Sequence, residues 1–178
     1  MTETPPPVLV IGVGNLLMGD DGIGCRVLAE LQRDPPPGTR LIDAGTAVVN
    51  LLADLEQAAA VLFIDAFQRG GAAGSTYVLE AQDVAAPALR ASLHDVGLAS
   101  ALRWLAPAHR AKPMLLLGIE PACLDFGAEL SAPLREAMPA VLGTARSLIR
   151  HLRDPSFSLR HFQTSLQPLE PSTAGTAP

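Results

Sequence analysis

Residues 8–24 have the sequence VLVIGVGNLLMGDDGIG, and this stretch decides the fold. Its first part, Val8 to Val13, is a continuous apolar run that ends among glycines, which is typical of a strand buried in a parallel sheet. Asp20 and Asp21 stand just before a predicted helix, where the helix dipole favours negative charge. One face of that helix carries four apolar residues, Ile23, Val27, Leu28 and Leu31. The stretch therefore predicts a strand, a glycine-rich turn and a helix.

The same alternation continues along the chain. Further strands are predicted at Arg40–Asp43, Ala60–Ile64, Thr76–Leu79 and Met114–Ile119. Helices are predicted at Val48–Leu55, at Leu98–Leu105, and from a capping Ser131 to about Arg153, with Pro139 expected to kink or split the last one. Strands that alternate with helices indicate an α/β fold with a largely parallel sheet.

Length and composition indicate one globular domain of 178 residues. We expect a flexible N-terminus over residues 1–7, a folded domain over 8–153 and a disordered tail over 154–178 that is rich in Pro, Ser and Thr. The net charge of −5 and the scattered basic residues argue against a nucleic-acid partner. With no signal peptide and no apolar run of membrane length, a cytoplasmic protein without a membrane partner is predicted. We expect the two cysteines, Cys25 and Cys123, to be free and buried, as in a reducing compartment, with one disulfide between them as the alternative.

Acidic residues follow three of the predicted strands. Asp20 and Asp21 come after the first strand, Asp43 ends the second and Asp65 ends the third. Ligands of open α/β sheets collect at the carboxyl ends of strands, where these carboxylates can converge. Convergent carboxylates repel one another unless a cation or a shared proton joins them. A loop histidine, His94, can add a nitrogen ligand, and mixed imidazole and carboxylate ligation suits nickel or zinc.

Each of these residues also has a purely structural interpretation. Asp21 can cap its helix, Asp65 can close a turn, and Asp43 can hold the neighbouring loop. His94 can be an ordinary surface histidine.

Three other functions fit parts of the sequence. A dinucleotide-binding enzyme would use Gly12-Val13-Gly14, but the third glycine of that motif is replaced by Leu17. A serine or cysteine hydrolase lacks the G-x-S-x-G motif, and Cys25 has no evident base beside it. A non-enzymatic nickel-binding chaperone would carry the same metal ligands as an enzyme.

The motif Gly12–Gly24 resembles the N-terminal signature of the nickel–iron hydrogenase maturation proteases. The similarity continues in the family's order and spacing, and it covers roughly residues 8–150. The later matching motifs are Asp43-Ala44-Gly45-Thr46, Ile64-Asp65-Ala66, His94-Asp95-Val96-Gly97-Leu98 and Gly118-Ile119-Glu120-Pro121.

The resemblance implies a single-domain, three-layer α/β fold with a mostly parallel, twisted central sheet flanked by helices. It implies that Asp21, Asp65 and His94 are metal ligands, and that Asp43 supports the cleft. It also implies an aspartyl-type endopeptidase that removes the C-terminal extension of the hydrogenase large-subunit precursor. The precursor would be loaded with nickel and would itself supply that metal. Asp43 or Asp20 is the expected general base, and a monomer that engages its substrate transiently is expected.

Overall fold

The computed structural model, which describes residues 7–84, 102–106, 109 and 111–154, contains one five-stranded sheet. Its strands are β1 (Val8–Val13), β2 (Thr39–Gly45), β3 (Ala60–Ala66), β4 (Thr76–Glu80) and β5 (Met114–Ile119). Their order across the sheet is β2-β1-β3-β5-β4. All neighbouring strands are parallel except β4, which pairs antiparallel with β5 at one edge. The predicted α/β fold with a mostly parallel sheet is confirmed.

Four α-helices of at least four residues lie within the described ranges. They are α1 (Ile23–Arg33), α2 (Leu52–Gln57), α3 (Ala81–Val84) and α4 (Ala132–Leu152). Two short 3₁₀ turns precede the first two of them, at Gly19–Gly22 before α1 and at Val48–Leu51 before α2. Residues 102–104 are also helical, in agreement with the second half of the predicted helix at Leu98–Leu105.

The helices cover both faces of the sheet. Side chains of a strand alternate between its two faces, so Val8 and Val10 of β1 face one layer while Leu9 and Ile11 face the other. The first layer contains the buried faces of α1 and α4, and the second contains Leu55 of α2 together with residues 102–105. Burial on both faces explains why β1 and β5 contain no charged residue and why β3 is apolar up to Asp65 near its carboxyl end.

Two details of α4 differ from the prediction. Ser131 is the N-cap residue, but its side chain makes no capping hydrogen bond. Pro139 lies inside one continuous helix and does not split it. The apolar face of α4 is buried on both sides of the proline, by Leu134 before it and by Val141 and Leu148 after it. Packing of that face against the sheet outweighs the hydrogen bond that the proline cannot donate.

Several predictions concern residues outside the described ranges. They include the loop histidine His94, the first part of the helix at Leu98–Leu105, the N-terminus up to residue 6 and the tail from residue 155. The predicted domain boundaries therefore stay predictions. Among the helices of the described ranges, none is both long and apolar enough to cross a membrane.

Candidate active site

The candidate site lies at the end of the sheet where the parallel strands β1, β2 and β3 terminate. Asp43 of β2 is the register partner of Gly12 in β1, and Asp65 of β3 is the register partner of Gly118 in β5. Because β1 runs between β2 and β3, the backbones that carry Asp43 and Asp65 are about two strand spacings, or ~10 Å, apart. The sequence predicted convergence of carboxylates at neighbouring strand ends, but these two strands are not neighbours.

Asp21 lies near this end of the sheet because the chain after β1 folds back sharply. Gly14 has a φ of +137°, and a Cβ there would lie 1.9 Å from the carbonyl oxygen of Asp21. A Cβ on Gly24 would lie 2.1 Å from the carbonyl oxygen of Ile64 in β3. Only glycine permits this close contact between the start of α1 and the strand ends. The sequence therefore places Asp21 directly above the end of β1.

Hydrogen bonds hold the turn in this shape. The backbone N–H of Asn15 donates to Oδ2 of Asp21 across 2.8 Å, and Oδ1 of Asn15 accepts a bond from the N–H of Leu17 across 3.0 Å. The Asn15 side chain therefore bonds within its own turn. The carboxylate of Asp21 thus has one oxygen oriented by the backbone of the loop that follows β1.

Asp21 and Asp65 are both buried, with exposed fractions of 4% and 6%. The Gly19–Gly22 turn that carries Asp21 contacts β3, the strand that carries Asp65. Within residues 7–84, 102–106, 109 and 111–154, no group of three or more His, Cys, Asp or Glu side chains is placed to hold a metal. The third expected ligand, His94, lies outside those residues. The metal set of Asp21, Asp65 and His94 therefore stays a prediction.

A groove of about 280 Å³ opens at the same end of the sheet, and Asp43 is the acidic residue among those that line it. Its walls are formed by the loop after β1, the end of β2 and the first turn of α1, through Gly14, Asn15, Leu16, Cys25, Asp43, Gly45 and Thr46. Asp43 is exposed there, and its Oδ1 accepts hydrogen bonds from the N–H of Gly45 at 2.8 Å and from the thiol of Cys25 at 3.2 Å. One carboxylate oxygen is thus held by two donors, which orients Asp43 within the groove.

Cys25 has a carboxylate neighbour that the sequence did not reveal. Burial of its side chain, the hydrogen bond to Asp43, and the charges of Asp43 and Asp65 together raise the pKa of the Cys25 thiol to about 12. A nucleophilic cysteine needs a lowered pKa, because the thiolate is the reactive form. The surroundings of Cys25 therefore oppose a cysteine-hydrolase mechanism. Cys123 is exposed, so its predicted burial is wrong.

Asp20 is completely buried and is not among the residues that line the groove. Its carboxylate accepts three backbone hydrogen bonds, from Ala122 at 2.8 Å, Cys123 at 3.1 Å and Ser131 at 2.7 Å. These bonds connect the turn before α1 to the loop before α4, which gives Asp20 a structural function. Its expected use as general base stays a prediction, and the exposed Asp43 suits that chemistry better.

Glu120, directly after β5, is a further buried carboxylate to which the sequence analysis assigned no function. It accepts hydrogen bonds from the N–H groups of Arg69 and Gly70 and from the hydroxyl of Tyr77, at 2.8, 3.0 and 2.8 Å. Burial raises the pKa of Glu120, but these hydrogen bonds outweigh it and leave that pKa lowered. Glu120 thereby closes the loop that follows Asp65. The rule that selected Asp65, an acid at a strand end, also selects Glu120.

The chain is similar to known proteins in both sequence and fold. A family model described as hydrogenase maturation protease matches residues 25–147. The hydrogenase expression/formation protein HupM of Azotobacter chroococcum is 36% identical over 156 residues, which cover 84% of this chain and 74% of the relative. The hydrogenase 2 maturation protease of Escherichia coli is 34% identical over 140 residues, covering 74% and 82%.

The fold comparison agrees with the sequence comparison. The structure of the hydrogenase maturating endopeptidase HybD from E. coli superposes with a TM-score of 0.71 and 28% identity, covering 81% of this chain and 92% of that one. The likeness thus extends over most of both chains.

Proposed function

This chain belongs to the hydrogenase maturation protease family, and on that premise we propose that it cleaves the C-terminal extension from a nickel-loaded hydrogenase large-subunit precursor. It is an endopeptidase of hydrogenase maturation. The observation that supports the more specific proposal is that Asp43 and Asp65 lie at the carboxyl ends of β2 and β3 and Asp21 lies in the turn after β1, with Asp43 lining an open groove.

In this proposal Asp21 and Asp65 contact the nickel that the precursor already holds, with His94 as the third contact. Carboxylates buried to this degree are costly unless a cation or hydrogen-bond donors compensate them. A nickel ion delivered by the substrate supplies positive charge at the place where two buried carboxylates lie close to one strand end. Binding then depends on the metal, which lets cleavage report that nickel insertion is complete.

Asp43 is the proposed general base. It is exposed in the groove, and one of its oxygens is held by Gly45 and Cys25, which leaves the carboxylate oriented for a water molecule beside the scissile peptide. The substrate's nickel would polarise the scissile carbonyl or lower the pKa of that water. The protein's own contribution is to place the peptide, the water and the base in one groove.

A non-enzymatic nickel chaperone would use the same carboxylates, but membership of a protease family favours the endopeptidase. Three further statements stay predictions: the aspartyl-type classification, the cytoplasmic location and the monomeric state.

The test is incubation of this protein with nickel-loaded and nickel-free precursor of a [NiFe] hydrogenase from the same organism, followed by mass measurement of the large subunit. We expect loss of the C-terminal extension only from the nickel-loaded form. His94→Ala should abolish that loss while the far-ultraviolet circular dichroism stays unchanged. Equal cleavage of both precursors would refute the dependence on metal, and binding of nickel-loaded precursor without cleavage would support the chaperone.

A further inference from the structure

Exposed apolar side chains are concentrated beside the groove. In the part of the chain that the structure describes, five large apolar side chains are exposed, and three of them belong to two adjoining loops. Leu16 and Leu17 follow β1 with exposed fractions of 44% and 57%, and Phe126, in the loop between β5 and α4, is 82% exposed. Single exposed apolar residues are ordinary, but a group at one place indicates a binding surface.

A backbone bridge brings the two loops together. Met18 and Gly127 pair as in a parallel sheet, with hydrogen bonds from Gly127 N–H to the carbonyl of Leu17 at 2.8 Å and from Gly19 N–H to the carbonyl of Gly127 at 2.7 Å. Leu17 and Phe126 each precede one bridge partner. The bridge therefore holds the backbones of these two exposed residues at neighbouring positions.

The surface is also held rigidly. The buried carboxylate of Asp20 bonds the backbone of the 122–131 loop, and the N–H of Asp20 donates to the carbonyl of Cys123 at 3.2 Å. The guanidinium of Arg26 in α1 donates to the carbonyl of Ala128 in the same loop. An apolar surface fixed in this way is pre-organised, so that a partner binds it without first ordering the loops.

We propose that Leu16, Leu17 and Phe126 form a docking surface for an apolar segment of the substrate polypeptide close to its scissile bond. The inference rests on the proposed peptidase function. The surface continues directly into the groove, because Leu16 is also one of the groove's walls. A polypeptide that places its scissile bond near Asp43 therefore lies against Leu16, and its flanking residues can reach Leu17 and the bridged loop that carries Phe126.

The size of the surface favours a substrate segment over a second copy of this chain. Three side chains expose at most a few hundred square ångströms, whereas a stable dimer buries upwards of about 1,000 Å². An extended peptide segment with one or two apolar side chains matches the smaller area. The three side chains carry no charge, so apolar residues of the substrate are the expected partners.

The experiment compares wild type with the double variant Leu17→Ser, Phe126→Ser, which leaves the groove wall Leu16 intact. Trp104→Ser is the matched control, because Trp104 is an apolar side chain of similar exposure (75%) outside the two bridged loops. For nickel-loaded precursor we expect the double variant to raise KM at least about tenfold with little change in kcat, since truncated interface anchors weaken binding. The control variant should keep the wild-type KM and the same melting temperature.

Binding of precursor, measured by biolayer interferometry on the same three proteins, separates this inference from the proposed function. If wild type cleaves the precursor and the double variant keeps the wild-type KM and Kd, the docking surface is refuted. The proposed peptidase function is then unaffected. If wild type binds precursor but fails to cleave it, the proposed function fails, and the Kd values of the variants still decide the docking surface. A concentration-dependent dimer of wild type that the double variant abolishes would assign the surface to a second copy and overturn the proposal.

Discussion

The thiol of Cys25 donates a hydrogen bond to Oδ1 of Asp43 across 3.2 Å, and this contact decides the chemistry available to both residues. Burial of the thiol, assisted by the carboxylate, raises the pKa of Cys25 to about 12. At pH 8 only about one thiol in ten thousand would be ionised, and the thiolate is the form that alkylating reagents attack. We therefore expect iodoacetamide to modify the exposed Cys123 of the native protein and to leave Cys25 unmodified.

The measurement is peptide mass spectrometry after brief alkylation, with alkylation in 8 M urea as the control that should modify both residues. Peptidase activity should survive the native treatment. Rapid labelling of native Cys25, or loss of activity that follows its labelling, would contradict the assigned pKa and reopen a cysteine mechanism.

The variant Asp43→Asn tests the catalytic step independently of substrate binding. The amide oxygen can still accept the bonds from Gly45 and Cys25, but the side chain can no longer take a proton from water. Loss of a general base typically lowers kcat by about 10²–10⁴-fold, so we expect a fall of that order with KM nearly unchanged. By contrast, Asp21→Asn should mainly raise KM for nickel-loaded precursor, because it weakens recognition of the metal. A wild-type kcat in Asp43→Asn would remove Asp43 from the chemistry.

The positions of the strands were predictable from the sequence because each strand is specified by its own consecutive residues. A strand buried on both faces is expected to be apolar along its length, and β1 and β5 satisfy this throughout, while β3 does so from Ala60 to Ile64. The glycines around Gly14 and Gly24 likewise marked a turn where the backbone comes too close for a Cβ. Asp21, Asp43 and Asp65 were selected as candidate site residues because strand ends are where such sheets bind ligands, and that selection stays a prediction.

What the sequence could not predict depends on contacts between distant segments. The order β2-β1-β3 separates Asp43 from Asp65, and chain order alone does not specify which strands are neighbours. Asp20 and Asp21 are adjacent identical residues, yet Asp20 bonds a loop more than 100 residues away while Asp21 bonds the N–H of Asn15. The contact of Cys25 with Asp43 similarly joins α1 to β2. No local pattern distinguishes these partners.

Asp20→Asn should destabilise the fold. The carboxylate accepts three backbone N–H bonds in a completely buried position, and the amide that replaces it has one acceptor oxygen and an NH2 group that must face at least one of these N–H donors. Hydrogen bonds to charged groups contribute roughly 1.5–3 kcal/mol each, so the free energy of unfolding should fall by about 2–4 kcal/mol after partial compensation by the remaining oxygen.

Urea denaturation followed by circular dichroism measures this change. Glu129→Gln is the control, since Glu129 is an exposed acid of the same loop and should alter stability by less than about 0.5 kcal/mol. A stable Asp20→Asn that has lost activity would instead support the alternative role of Asp20 as general base.

The hydrogen bonds that Glu120 accepts should make the free energy of unfolding decrease at acidic pH. The pKa of Glu120 is lowered in the folded protein because the bonds from Arg69, Tyr77 and Gly70 outweigh the effect of burial. A lowered folded pKa means that ionised Glu120 stabilises the fold fully above its unfolded pKa of about 4.3, and that this contribution disappears as pH falls through the folded pKa. Glu120→Gln should therefore cost roughly 1–3 kcal/mol at pH 7.

The difference in unfolding free energy between wild type and Glu120→Gln should shrink as pH falls from 5 towards 3, because protonated glutamic acid and glutamine are both neutral. Urea titrations of both proteins at several pH values test this, and Glu136→Gln, at a position on α4, provides a matched control. The hydroxyl of Tyr77 stays protonated across this range, since its own pKa is raised by burial and by Glu120. If the difference in unfolding free energy between the two proteins stays constant from pH 7 to pH 3, the charge of Glu120 does not stabilise the loop after Asp65.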